Sequence, residues 1–91
     1  MYTRFSGENG QSAARWLRTL KYELPPTFTA GQWLECVDGL LDGTAARWAD
    51  EQPVKEILSD ETLKDAKNHE VDIFKALLLS RFTLGEDNLE G

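Results

Sequence analysis

Few residues in this 91-residue chain have the types and spacing that chemistry needs. The single histidine, His69, stands beside Glu70 and near Asp72, and an imidazole among carboxylates can act as a general base or a metal ligand. Either role needs further partners, and with no second histidine the residue is read as a surface group at a helix start. The single cysteine, Cys36, lies between Glu35 and Asp38. Thiolates are activated by cations or helix N-termini, so this acidic setting predicts an inert thiol. One cysteine also excludes an internal disulfide and a cysteine-based zinc site. Asp50-Glu51 and Asp60-Glu61 are acidic pairs that lack the alternating oxygen ligands of a calcium loop, and helix ends and turns account for them. Gly7, Gly10 and Gly31 form neither a G-x-G-x-x-G fingerprint nor a P-loop. The expectation is a protein without catalysis, cofactor or metal.

Charge narrows the partners. Residues 1–47 carry five cations and five acids, whereas residues 48–91 carry five cations and eleven acids, which accounts for the net charge of −6. Arg15, Arg18 and Lys21 form a modest basic ridge, expected to pair with the acidic C-terminal half. Direct nucleic-acid binding is not expected, because phosphate contacts need clustered cations and an acidic chain repels them. No apolar run reaches the ~18 residues of a membrane span, and no signal-peptide pattern opens the chain. An acidic, intracellular, cytoplasmic domain without a membrane partner is therefore expected.

The elements that would hold these residues are helical. Met1–Gly10 reads as an extended arm, with strand character conceivable only around Tyr2–Phe5. Ala13, Trp16, Leu17, Leu20 and Leu24 follow at helical spacing and predict a first helix over 12–23, ended by Pro25-Pro26. Thr29 and Gln32 fit a capping box for a second helix over 30–41, with Trp33, Leu34, Val37, Leu40 and Leu41 inward. Gly39 inside it suggests a close helix approach. Gly43 suits a C-terminal cap, and Thr44 a cap for a short helix over 45–51. Residues 53–67 read as a short helix or a loop: Val54, Ile57 and Leu58 face inward in one turn or two, and Ser59-Asp60 offers a cap for a weakly amphipathic stretch over 61–67 with Leu63 and Ala66. Val71, Phe74, Leu77, Leu78 and Phe82 predict a last helix over 69–82, widened by Ile73 and stopped by Gly85. The fold class expected is all-α: a compact bundle of four to five helices with a short extended N-terminal arm. It occupies 1–85, and 86–91 form a polar tail or linker toward a further lobe.

Trp16, Trp33 and Trp48 each lie on the apolar stripe of a different helix. A core role is the default for such large side chains. The alternative is an open aromatic groove for an extended peptide, with Tyr2, Phe5 and Phe28 as further lining.

Four pieces then occur in order: Phe5-Ser6-Gly7; Trp16-Leu17; Leu41-Asp42-Gly43-Thr44-Ala45-Ala46-Arg47-Trp48; and Phe74 with Phe82 at the close of the last helix, after Arg81. Together they resemble the Gag capsid domain, N-terminal lobe, of gypsy-type long-terminal-repeat retrotransposons. That family shows an F-x-G arm, a W-L helix, an L-x-G-x-A-x-x-W junction and an aromatic last helix ending in R-F. The chain departs from the pattern over Ala49–Asn68, which is longer than the usual connection, and lacks the Trp that often opens the last helix. The resemblance implies a small helical lobe without catalysis that self-associates in virus-like particles through weak lattice contacts between copies. Domesticated, Arc-like relatives of the family bind a linear peptide in an extended groove. The resemblance would place that groove along the arm Tyr2–Phe5 and the first helix; with the aromatic alternative above, the candidate lining is Tyr2, Phe5, Trp16, Phe28 and Trp33.

Overall fold

A computed structural model of the chain describes residues 2–82, in which the helices are α1 (Ala13–Glu23), α2 (Ala30–Asp38), α3 (Gly43–Ala49), α4 (Val54–Ile57), α5 (Asp60–Lys64) and α6 (Asn68–Phe82). The fold is all-α, and residues 53–67, which the sequence leaves open between a short helix and a loop, form the two short helices α4 and α5. The expected stop at Gly85 and the tail 86–91 lie outside the described residues. Among those residues the arm makes no strand, only a parallel bridge from Phe5 to Leu41.

Local signals set several boundaries directly. Ser12 accepts from the Arg15 N–H at 3.1 Å and starts α1. The Thr29–Gln32 capping box forms reciprocally, the Thr29 N–H donating to Gln32 Oε1 at 2.8 Å and the Gln32 N–H to Thr29 Oγ1 at 3.1 Å. Ser59 caps α5 by accepting from the Thr62 N–H.

Elsewhere the arm overrides local preference. The second helix ends at Asp38 rather than Leu41. Gly39 and Leu40 form a closing turn, the Leu40 N–H donating to the Val37 carbonyl at 2.9 Å and the Leu41 N–H to the Asp38 carbonyl at 3.3 Å, and Leu41 then bridges to the arm. The Phe5 N–H donates to the Leu40 carbonyl at 2.9 Å, and the Asp42 N–H donates to the Phe5 carbonyl at 2.8 Å. Both leucines stay buried. The third helix starts at Gly43 instead of Ala45, and Thr44 does not cap it. Glu8 of the arm does: one carboxylate oxygen accepts from the Thr44 N–H and from Thr44 Oγ1, each at 2.8 Å. Gly39 follows α2 with only its own helix nearby; the close approach is at Gly31, where a methyl group would strike the Leu63 carbonyl of α5. Ile73 is 36% exposed and does not join the buried face of α6, which consists of Val71, Phe74 and Leu78.

The core is organised around a continuous series of rings. Trp16 stacks on Phe5 at 4.9 Å between centroids, and Phe5 meets Phe82 edge-on at 5.2 Å. Phe82 meets Trp48 at 5.5 Å, Trp48 meets Phe74 at 5.8 Å, and Phe74 meets Trp33 at 6.1 Å. Such tilted and edge-to-face pairs are favourable beyond the area they bury. Six rings from the arm, α1, α2, α3 and α6 thus run through the interior. The Trp16 indole N–H sits at the core edge and donates to the Thr3 carbonyl at 2.8 Å, which keeps the ring satisfied while buried.

Gly7 is required where the arm leaves this series. Its φ of +72° is left-handed, and a methyl group there would collide with the Phe82 ring. Gly7→Ala is expected to cost about 1–2 kcal/mol from the backbone conformation alone, with the collision added. A urea titration followed by circular dichroism measures it, and an unchanged midpoint would contradict this packing.

Candidate functional site

The chemistry-bearing residues of the sequence do not converge. His69 is exposed at the start of α6, and Cys36 is half-buried in α2. Among the described residues no three His, Cys, Asp or Glu side chains are grouped to hold a metal ion. Asp60 and Glu61 lie in the first turn of α5, where the helix dipole favours acids. Asp50 instead sits at the C-terminal end of α3, against the dipole, so helix N-termini do not account for that pair. Loss of solvation, with the charge of Asp50 added, pushes the Asp38 carboxyl above its ordinary value. Burial raises the Cys36 thiol. Cys36 is accordingly expected to alkylate with iodoacetamide at pH 7.5 more slowly than free cysteine; a faster reaction would overturn the inert assignment.

A cleft of about 590 Å³ opens between α1, the turn after it and Trp33 of α2, within the size range of ligand sites. Its floor and walls come from the C-terminal half of α1 (Leu17, Leu20), from Leu24 and the Pro25-Pro26 turn, and from Phe28 and Trp33. The two prolines account for this shape. They stop α1, and the turn they open is closed by the Phe28 N–H donating to the Pro25 carbonyl at 3.2 Å. Lacking N–H groups, they also offer the cleft a wall without donors.

Three cations stand on its rim: Arg18 and Lys21 from α1, and Lys75 from α6. The Lys75 ammonium lies 5.3 Å from the centre of the Trp33 ring, a cation–π contact that pins both side chains at the edge. No carboxylate, hydroxyl, thiol or imidazole side chain lines the cleft. Among the described residues the basic ridge forms no ion pair with the acidic half, the ion pairs there being Arg4–Asp42 at 3.3 Å and Arg47–Glu8 at 3.9 Å.

The structure divides the candidate groove residues. Phe28 and Trp33 line the cleft. Phe5 and Trp16, stacked on one another and only 0% and 4% exposed, are core residues with no face left for a ligand. Tyr2 packs, half-buried, against the core and is not a lining residue of the cleft. The sequence reading missed the contribution of Lys75, which reaches the cleft from a distant helix.

The signature residues are brought together far more completely. Phe5, Trp16, Trp48, Phe74 and Phe82 are five of the six rings in the core series. Leu41 and Ala45 are buried against them. Gly7 and Gly43 both have left-handed φ, with Phe82 and the Glu8 carboxylate respectively where a methyl group would go. Leu17 is the exception, half-buried and turned toward the cleft. The long connection over 49–68 becomes α4 and α5, of which α5 packs on α2 and α4 on α6.

Two carboxylates tether the arm. Glu8 is bound by Thr44, and Glu23 accepts from the Thr3 N–H at 2.9 Å and Thr3 Oγ1 at 2.7 Å. These hydrogen bonds favour the ionised forms and lower both carboxyls below 4.5. A lowered folded value means stability that is complete above the unfolded value and lost as pH falls through the folded one. Thermal stability is expected to drop below about pH 4.5 through these two groups, Asp38 acting in the opposite sense. Glu8→Gln with Glu23→Gln removes both titrating groups and should flatten the drop in melts from pH 6 to 3; an unchanged slope would show that the tethers do not carry it.

No family model matches the sequence, and no curated protein or solved structure matches it either. No helix among the described residues is long and apolar enough to cross a membrane.

Proposed function

We propose that the chain is a Gag-type capsid lobe, a non-catalytic module whose copies associate through repeated weak contacts in the cytoplasm. The supporting observation is the convergence of the four signature pieces on one aromatic series, with both signature glycines at positions of left-handed backbone and close approach. Pieces separated by tens of residues have no reason to interlock in this way unless they specify one interior. The net charge of −6 keeps copies apart at physiological salt and disfavours direct binding of nucleic acid. Light scattering across a salt series tests the proposal. A monomer is expected at ~10–100 μM in 0.15 M salt, with reversible association near 1 M, where the Debye length falls to about 3 Å. A tight dimer at low micromolar concentration and low salt would contradict it.

The cleft favours a second reading, an interaction module derived from such a lobe that binds a linear peptide. Its walls are apolar and its rim is polar, the usual arrangement of a recognition site.

A further inference from the structure

We infer that the cleft between α1, the Pro25-Pro26 turn and Trp33 is a docking site for an extended peptide segment carrying an apolar side chain flanked by carboxylates. This rests on the second reading above and assigns the chemistry of the ligand. Charge complementarity carries it. The chain has ten cations and sixteen acids, yet the cleft gathers three of the cations and none of the acids. Among the described residues no carboxylate forms an ion pair with Arg18, Lys21 or Lys75. A chain of net −6 that gathers three cations and no carboxylate around an apolar cleft presents a local field opposite to its overall one, which selects an acidic partner.

The floor defines the rest of the ligand. Leu17, Leu20, Leu24 and Phe28 can take an aliphatic or aromatic side chain, and a volume of about 590 Å³ accommodates a short segment and no folded domain. Carboxylates on either side of that anchor would reach the cations, Arg18 and Lys21 on one wall and Lys75 on the other. A single-stranded nucleic acid fits less well. It needs open aromatic faces for stacking and a basic groove that tracks the backbone, whereas the Trp33 face is occupied by Lys75 and the walls are mostly aliphatic.

The experiment is an amide and indole chemical-shift titration of the isotope-labelled chain at 0.05 M salt. The probes are the capped peptides DDFLDD, KKFLKK and DDGSDD, and an oligouridine. Shifts from DDFLDD should centre on Leu17, Phe28 and the Trp33 indole N–H. Its affinity should exceed that of KKFLKK by about tenfold or more, each exposed charge pair being worth a factor of roughly two. Lys21→Glu and Lys75→Glu, both at the rim, should each weaken DDFLDD several-fold while the helical circular dichroism spectrum is kept. Equal or tighter binding of KKFLKK at the cleft would overturn the acidic assignment and leave peptide binding intact. DDGSDD binding as well as DDFLDD would overturn the apolar anchor. Tighter binding of oligouridine would transfer the cleft to nucleic acid. No shifts with any peptide would overturn both this inference and the second reading, and salt-dependent self-association would still decide the first.

Discussion

Phe5→Ala is expected to remove most of the stability of the domain. The side chain has no exposed surface, stacks on Trp16 at 4.9 Å and meets Phe82 edge-on at 5.2 Å. Truncating a buried phenylalanine costs about 3–5 kcal/mol, and a domain of this size has only ~5–10 kcal/mol in total. Phe5 belongs at the upper end, because its ring links Trp16 to the rest of the aromatic series and its backbone joins the arm to Leu40 and Asp42. Loosening it also loosens the Glu8 cap on α3. Trp48→Ala belongs in the same range, since that ring is 8% exposed and bridges Phe74 and Phe82. Tyr22→Ala is the control: 85% exposed, it should change stability by less than about 0.5 kcal/mol. Urea denaturation followed by circular dichroism measures all three. Comparable midpoints for Phe5→Ala and Tyr22→Ala would place the arm outside the core.

Much of this interior was legible in the sequence because its determinants are local. The stripe from Ala13 to Leu24, the Thr29–Gln32 box and the spacing from Val71 to Phe82 each specify a helix within a few turns, and those helices formed. What was not legible depends on contacts across the chain. Leu40 and Leu41 continue a helical stripe, yet their backbone is claimed by Phe5, thirty-five residues away in the case of Leu40. Thr44 is a good local cap that a carboxylate from the arm displaces from that role. The same limit applies to the cleft. Phe28 and Trp33 were readable as aromatic lining, and Arg18 with Lys21 as a ridge. That these cations face an apolar cleft, and not the acidic half, follows from where the Pro25-Pro26 turn and α6 place Lys75. Phe5 and Trp16 were candidates for the groove because aromatic type alone does not tell an open face from a stacked one.

The second large effect concerns assembly. A lobe whose lattice contacts are individually weak should stay monomeric as a single copy, and joining copies should change its behaviour abruptly. A short flexible linkage raises the local concentration of a second copy to the millimolar range, and avidity can gain ~10²–10⁴ without any new interface. Copies that associate only near 1 M salt when separate should therefore assemble at ~10 μM protein in 0.15 M salt when linked, since the added avidity offsets the repulsion of their net negative charge.

Fusing the chain to a parallel dimeric coiled coil, and following the fusion by sedimentation and negative-stain electron microscopy, tests the capsid-lobe proposal most directly. The expected result is closed or sheet-like particles from the fusion under conditions where the unfused chain sediments as a monomer. A fusion that remains a discrete dimer at every salt concentration, with its helical fold intact, would contradict self-assembly as the function of this domain.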